Sequence, residues 1–189
     1  GQGVPVKLVD TTQAALDRGL AAVRKFYDRA AEKGKMSPDD AEAAIARVDG
    51  GTELSHVAGC ELGIEAGFEE FSVKEALYET LNGVLPDEAV LATNTSALKV
   101  SELAEAYKDP TRFLGLHYFN PAAINPIVEV VRGAKTDPAL FDRALEFCQQ
   151  TAKKPIACKD HYGFAINRFF VPYGNEAVRL MDQGVGTAA

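Results

Sequence analysis

Two rhythms of apolar positions alternate along the chain. Val4-Pro5-Val6-Lys7-Leu8-Val9 is a short β-branched run closed by Asp10, which predicts a strand. From Thr12 the apolar positions Leu16, Leu20, Val23 and Tyr27 recur at helical spacing, and Gly34 stands where such a helix would stop. Ser37-Pro38-Asp39-Asp40 then supplies a cap, a proline at the first helical position and acidic residues in the first turn, so a second helix is predicted, ending near Asp49-Gly50-Gly51. Further strands are predicted over 60–65, 89–93, 112–116, 127–131 and 155–158, and helices over 72–85, 101–107, 137–152 and 165–183. Pro172 is expected to kink the last helix or to mark its N-terminal part, because proline removes a donor and crowds the preceding turn.

Strand and helix in alternation argue for parallel strands joined by helical crossovers, an α/β sheet covered on both faces, with ligands at the C-terminal ends of the strands. The last third changes character: after His161-Tyr162-Gly163-Phe164 the chain carries one long helical segment. No internal repeat, low-complexity tract or flexible linker interrupts the order.

Composition narrows the classes. The 189 residues are 47% hydrophobic and 25% charged, the balance of a globular protein rather than a disordered or fibrous one. A net charge of −7 without a dense basic cluster argues against nucleic acid as a partner. No apolar run reaches the roughly 20 residues of a membrane helix, and no secretory signal pattern opens the chain, so a cytoplasmic protein is expected. Cys60, Cys148 and Cys158 are far apart and lack C-x-x-C spacing, which predicts buried reduced thiols and no metal site.

Three blocks at or just past expected strand ends carry candidate chemistry: Ala92-Thr93-Asn94-Thr95-Ser96, Gly115-Leu116-His117-Tyr118-Phe119-Asn120-Pro121 and Val128-Glu129-Val130. Together they bring a hydroxyl, an imidazole and a carboxylate to one rim of the sheet. A carboxylate on one imidazole nitrogen fixes the tautomer and stabilises the imidazolium as the other takes a proton, a general-base dyad with a polar helper. On spacing alone the plainer reading stands beside it: His117 satisfies backbone groups, Ser96 caps a helix and Glu129 is a solvated strand residue.

Asn94-Thr95-Ser96, the stretch 115–121, Val128-Glu129-Val130, Lys159-Asp160 and Gly163-Phe164-Ala165-Ile166-Asn167-Arg168 resemble, in order, the signature of the L-3-hydroxyacyl-CoA dehydrogenases. The resemblance runs from Val6 to about Leu180. Gly34-Lys35-Met36 and Phe169-Phe170-Val171-Pro172 make it closest to the bacterial enzymes often fused behind an enoyl-CoA hydratase. It implies a Rossmann-type, doubly wound, mostly parallel sheet over residues 1–159 and the start of an all-α dimerisation and substrate domain over 160–189. The implied reaction is NAD-dependent oxidation of an L-3-hydroxyacyl-CoA in fatty-acid β-oxidation, or its reverse, by a parent that is a homodimer or fused to a hydratase.

By the same resemblance His117 is the catalytic base, Glu129 its paired carboxylate, Ser96 a contact of both substrate and nicotinamide, and Asn167 a substrate-oxygen contact. Asp10 matches the ribose-binding acid, with no arginine following it to receive a 2′-phosphate, so NAD is favoured over NADP. Gly67, Phe68, Glu69, Lys74 and Asn120 match further cofactor contacts. Without the family, Lys74 reads as a helix-surface lysine paired with an acid, and Glu69 or Glu70 as a helix cap. Ala97, Ala122-Ala123-Ile124-Asn125 and Gly174 depart from the family pattern, and the second of these lies beside the acyl-CoA entry.

The ribose-binding acid normally follows a Gly-rich phosphate turn by about 20 residues, and Asp10 stands too near the first residue for that. Gly1-Gln2-Gly3 is not that turn, since no strand precedes it. A fragment cut at both ends is therefore expected, lacking its central strand and leaving two inner edges in the sheet. Two other classes compete with the dehydrogenase: a non-catalytic Rossmann-like interaction module, and a hydrolase built on Ser96, His117 and Glu129. The second lacks a Gly-x-Ser-x-Gly elbow around Ser96.

Overall fold

Thr12 and Ser37 open the first two helices as the sequence requires. In the computed structural model, which describes residues 2–188, the Thr12 side chain accepts from the Ala15 N–H and begins α1 (Gln13–Glu32), and Ser37 accepts from the Asp40 N–H and begins α2 (Pro38–Ile45). Gly1 and Ala189, on which part of the terminal reading rests, lie outside the described residues. The described chain divides into two compact units, 2–61 with 80–87 and 62–79 with 88–188.

In the first unit β1 (Val6–Val9) pairs in parallel with β2 (Val48–Gly51), with Val6 opposite Val48 and Val9 opposite Gly51. The sequence reading ran α2 on to Asp49-Gly50-Gly51, and this is corrected: α2 stops at Ile45 and the glycines belong to a strand. The reason is packing. A Cβ on Gly50 would stand 3.0 Å from Leu20 Cδ1 and 3.1 Å from Leu16 Cδ1, so the glycine lets the apolar face of α1 close onto the strand. A Gly-Gly pair that looks like a helix stop is here a site of close approach.

The second unit holds a five-stranded sheet in the order β3-β4-β5-β6-β7: Leu62–Glu65, Val90–Thr93, Phe113–Tyr118, Ile127–Arg132 and Lys154–Lys159. All pairings are parallel except β5 with β6, which are antiparallel. The core joins Leu114, Leu116, Val128 and Val130 of the central strands to Leu140 and Cys148 of α5 (Pro138–Gln150). Within the first sheet the order β2-β1, and within the second the run β3-β4-β5, each match a stretch of the Rossmann 3-2-1-4-5-6 order.

Between strands lie α3 (Phe71–Asn82) and α4 (Val100–Leu103). The helix predicted over 101–107 is thus shorter, its remainder a 3-10 turn over Ala104–Ala106. Asp160 explains where α4 starts: its two oxygens accept from the Val100 and Ser101 N–H groups at 3.0 and 2.8 Å. The final helix, α6 (Ile166–Asp182), runs through Pro172 and exposes Phe169, Phe170, Val171 and Tyr173. Cys148 and Cys158 are buried as expected, whereas Cys60 is half-buried. No helix among the described residues is long and apolar enough to cross a membrane, and no group of residues there could hold a metal ion.

Candidate active site

In the antiparallel register of β5 and β6, His117 faces Glu129 directly. The pair meets at 2.8 Å between Nδ1 and Oε2, with 6% of the His117 side chain and none of Glu129 exposed. An ionised carboxylate only accepts, so Nδ1 carries the hydrogen and Nε2 presents a lone pair. Nε2 makes no hydrogen bond among the described residues, and no buried side-chain polar atom there lacks a partner, so this nitrogen reaches the surface. Phe119 and Phe164, with ring centroids 4.5 and 5.7 Å from the imidazole, confine it on its flanks.

Glu129 does more than hold the histidine. Its Oε1 accepts from the N–H groups of Ala165 and Ile166 at 2.9 and 2.8 Å, at the head of α6, and from the Cys158 thiol at 3.6 Å. Burial, with the Glu129 charge beside it, pushes the Cys158 thiol up to about 11. Gly163 and Phe164 both adopt the left-handed conformation, φ 69° and 48°, turning the chain so that these two N–H groups face the carboxylate. Such a conformation costs a phenylalanine energy and is held here by its burial. One turn on, Asn167 Nδ2 donates to the Ser96 carbonyl at 3.2 Å, so Asn167 and Ser96 are joined.

Ser96 is exposed, on a turn drawn together by Glu69. Glu69 Oε1 accepts from the Thr95 hydroxyl at 2.5 Å and from the Ser96 and Ala97 N–H groups at 2.8 and 3.0 Å. Burial works against the Glu69 charge, but these hydrogen bonds and the nearby Lys74 outweigh it and hold the carboxyl below its ordinary range. Glu69 is thus engaged with the 95–97 turn, and Glu70 accepts from the Ser72 hydroxyl at 2.9 Å. Lys74 is paired with an acid as the plain reading had it, its ammonium 2.6 Å from Glu65 Oε1, but its surface placement is overturned, since the residue is 1% exposed. Gly67 donates to the same oxygen, Phe68 is 82% exposed, and Asn120 is exposed just past β5.

Sequence reasoning missed Glu65, which ends β3 and is buried, although an acid closing the apolar run Leu62-Gly63-Ile64 was a visible signal. It named Asn94 within a candidate block but gave it no role; Oδ1 accepts from the Tyr118 N–H at 2.8 Å and so ties the ends of β4 and β5 together.

Asp10 lies in the first unit, exposed just past β1, with Oδ1 accepting from the Thr11 N–H at 2.8 Å. No lysine or arginine pairs with it among the described residues. A solvent-facing carboxylate of this kind suits the hydroxyls of a ribose and repels a phosphate. The residues present thus fit the ribose of NAD, while the 189 residues contain no Gly-x-Gly-x-x-Gly turn for its pyrophosphate.

Residues 1–161 match the family model described as 3-hydroxyacyl-CoA dehydrogenase, NAD binding domain. A probable 3-hydroxybutyryl-CoA dehydrogenase of Deinococcus radiodurans is 34% identical over 183 residues, 97% of this chain and 66% of that protein. The fatty acid oxidation complex subunit alpha of Pseudomonas putida is 32% identical over 184 residues, 97% of this chain and 26% of that protein. The solved (S)-3-hydroxybutyryl-CoA dehydrogenase of Ralstonia eutropha superposes with a TM-score of 0.93 at 31% identity, covering 98% of this chain and 65% of that one. The chain thus spans just under two thirds of the dehydrogenases it matches and about a quarter of the multifunctional subunit. It belongs to the 3-hydroxyacyl-CoA dehydrogenase family, of which it carries the NAD-binding domain.

Proposed function

We propose that the protein oxidises an L-3-hydroxyacyl-CoA to the 3-ketoacyl-CoA, or runs the reverse reduction, as a step of fatty-acid β-oxidation, with His117 as general base. The observation that carries this reading is the His117–Glu129 pair, in which Nδ1 is held by a buried carboxylate and Nε2 is left to meet a substrate hydroxyl. His117 Nε2 takes the hydroxyl proton, and the buried Glu129 stabilises the imidazolium that results. NAD, when bound, supplies the acceptor for the hydride leaving C3. Ser96 and Asn167, joined through the Ser96 carbonyl, offer polar groups toward the oxygen whose charge changes during the reaction.

Asp10 is proposed as the ribose acceptor, and Gly67, Phe68, Glu69, Lys74 and Asn120 as further cofactor contacts. Residues 160–189 are read as the beginning of a helical domain, which accounts for the apolar side chains that α6 exposes. A homodimer or a fusion to a hydratase, in the cytoplasm, fits the fatty acid oxidation subunits among the relatives. The hydrolase alternative is disfavoured because no hydrogen bond joins Ser96 to His117 among the described residues.

The test is reduction of acetoacetyl-CoA by NADH in the natural full-length protein, followed by the loss of NADH absorbance. Activity lost in His117→Ala with an unchanged circular dichroism spectrum supports the assignment. A retained rate in that variant sinks it.

A further inference from the structure

Glu65 is a buried carboxylate at the end of β3 that satisfies four donors from three places. Oε1 accepts from the Gly67 N–H at 2.5 Å and the Lys74 ammonium at 2.6 Å; Oε2 accepts from the Tyr78 hydroxyl at 2.6 Å and the Thr93 hydroxyl at 2.8 Å. Lys74 and Tyr78 are four residues apart on one face of α3, and Thr93 stands opposite Glu65 in the β3–β4 register. Apolar side chains would join this strand, helix and neighbour at lower cost, since a buried ion pair is weak grounds for stability. The charged group is therefore to be explained by what it holds in place.

Lys74 does not end at Glu65. Its ammonium lies 3.7 Å from Glu69 Oε2 and 3.5 Å from the Gly67 carbonyl, so one buried cation stands between two carboxylates. The other oxygen of Glu69 is the one that gathers the Thr95 hydroxyl and the Ser96 and Ala97 N–H groups. A second path leaves from the backbone. The Glu65 carbonyl accepts from the Asn94 N–H at 2.8 Å, and the Asn94 side chain accepts from the N–H of Tyr118, the residue after His117.

We propose that Glu65 is a positioning residue for the dehydrogenase site, acting through Lys74 and Glu69 to set the turn that presents Ser96. The proposal rests on the dehydrogenase reading above. Glu65 itself touches neither substrate nor cofactor. With its charge removed, nothing buried fixes the Lys74 ammonium, so Glu69 loses its fixed counter-charge and with it its set place against the Thr95–Ala97 amides. Ser96 then loses its fixed place while β5, β6 and the His117–Glu129 pair keep theirs.

The experiment compares Glu65→Gln, Lys74→Met and the double variant in the natural full-length protein. The readouts are acetoacetyl-CoA reduction, thermal midpoint, and hydrogen exchange of the segment 94–98 by mass spectrometry. Glu65→Gln is expected to raise exchange in 94–98 by about tenfold or more and to lower kcat by about tenfold or more, with a smaller change in KM and unaltered exchange over 127–132. The double variant buries no unpaired charge, so its thermal midpoint should return toward that of the wild type while kcat stays low and the 94–98 segment stays fast. Recovery of kcat together with the midpoint, or unaltered exchange in 94–98, overturns the proposal and leaves Glu65 a fold element. If Glu65→Gln does not fold, hydrogen exchange of 94–98 in the double variant decides: fast exchange there supports the proposal and unaltered exchange overturns it. A wild-type protein without dehydrogenase activity defeats the functional reading, and the exchange comparison then still decides whether Glu65 orders the Ser96 turn.

Discussion

His117 and Glu129 are cross-strand partners in the one antiparallel step of the five-stranded sheet, so the backbone register sets their 2.8 Å contact. Glu129 is committed on both oxygens, to the imidazole through one and to the head of α6 through the other. Glu129→Gln would set an amide nitrogen against Nδ1 or the backbone donors, favouring the tautomer that carries its hydrogen on Nε2. A fall in kcat of roughly 10³ to 10⁴-fold is expected, by analogy with carboxylate-to-amide changes behind catalytic histidines. Glu129→Ala should also cost about 3 kcal/mol of stability, since it leaves buried donors unpaired. Steady-state rates and urea midpoints of the two variants check this, and a Gln variant within threefold of wild type would remove Glu129 from the mechanism.

Asp10 governs cofactor choice on this reading. Among the described residues its exposed carboxylate accepts only from Thr11, and it remains available to a diol. Hydrogen bonds to a charged group are worth about 1.5–3 kcal/mol, so Asp10→Ala should weaken NADH binding by roughly 10- to 100-fold. NADPH, no longer repelled, should lose less or gain. Fluorescence titration of both cofactors on the natural full-length protein measures the ratio, and an unchanged preference would mean that Asp10 does not read the ribose.

Gly163 sits at φ 69°, where a Cβ would stand 3.4 Å from the Asn167 Cβ. Gly163→Ala should therefore cost about 1–2 kcal/mol from the backbone conformation alone. Because the turn at 163–164 sets the head of α6 from which Asn167 projects, strain there is expected to lower kcat by more than the stability loss explains. Comparing this variant with Asn167→Ala separates the two effects: matching kinetic defects would show that the turn acts through Asn167.

Much of this was legible in the sequence, and the exceptions share a cause. Caps at Thr12, Ser37 and Asp137 announce their helices because the interactions are local. The motif residues Ser96, His117, Glu129 and Asn167 were found by resemblance, and the register then explains why two of them touch. β2 was hidden because a strand of Val48-Asp49-Gly50-Gly51 owes its existence to β1 and to leucines on α1, distant in sequence. Lys74 misled for the same reason: a lysine is buried only when carboxylates await it, and those come from β3 and the loop after it.

The buried acids also fix how stability responds to pH. Glu65 is held below its ordinary value of 4.5: burial raises it, but the hydrogen bonds from Lys74, Tyr78 and Thr93 and the Lys74 charge more than offset that, and Glu69 is lowered likewise. A carboxyl whose folded pKa is depressed binds its proton more readily in the unfolded chain. Its contribution is complete above the unfolded value and is lost as pH falls through the folded one. Stability should therefore be insensitive to these two groups from pH 7 to about 5 and should decline below about 4.5. Urea midpoints measured from pH 7 down to 3 test this, with the Glu65→Gln/Lys74→Met double variant as the control. That variant has no Glu65 to protonate, so its midpoint should fall less steeply over the acid range. Equal slopes for the two proteins would mean that Glu65 is not ionised in the folded state and that Lys74 is held by Glu69 alone.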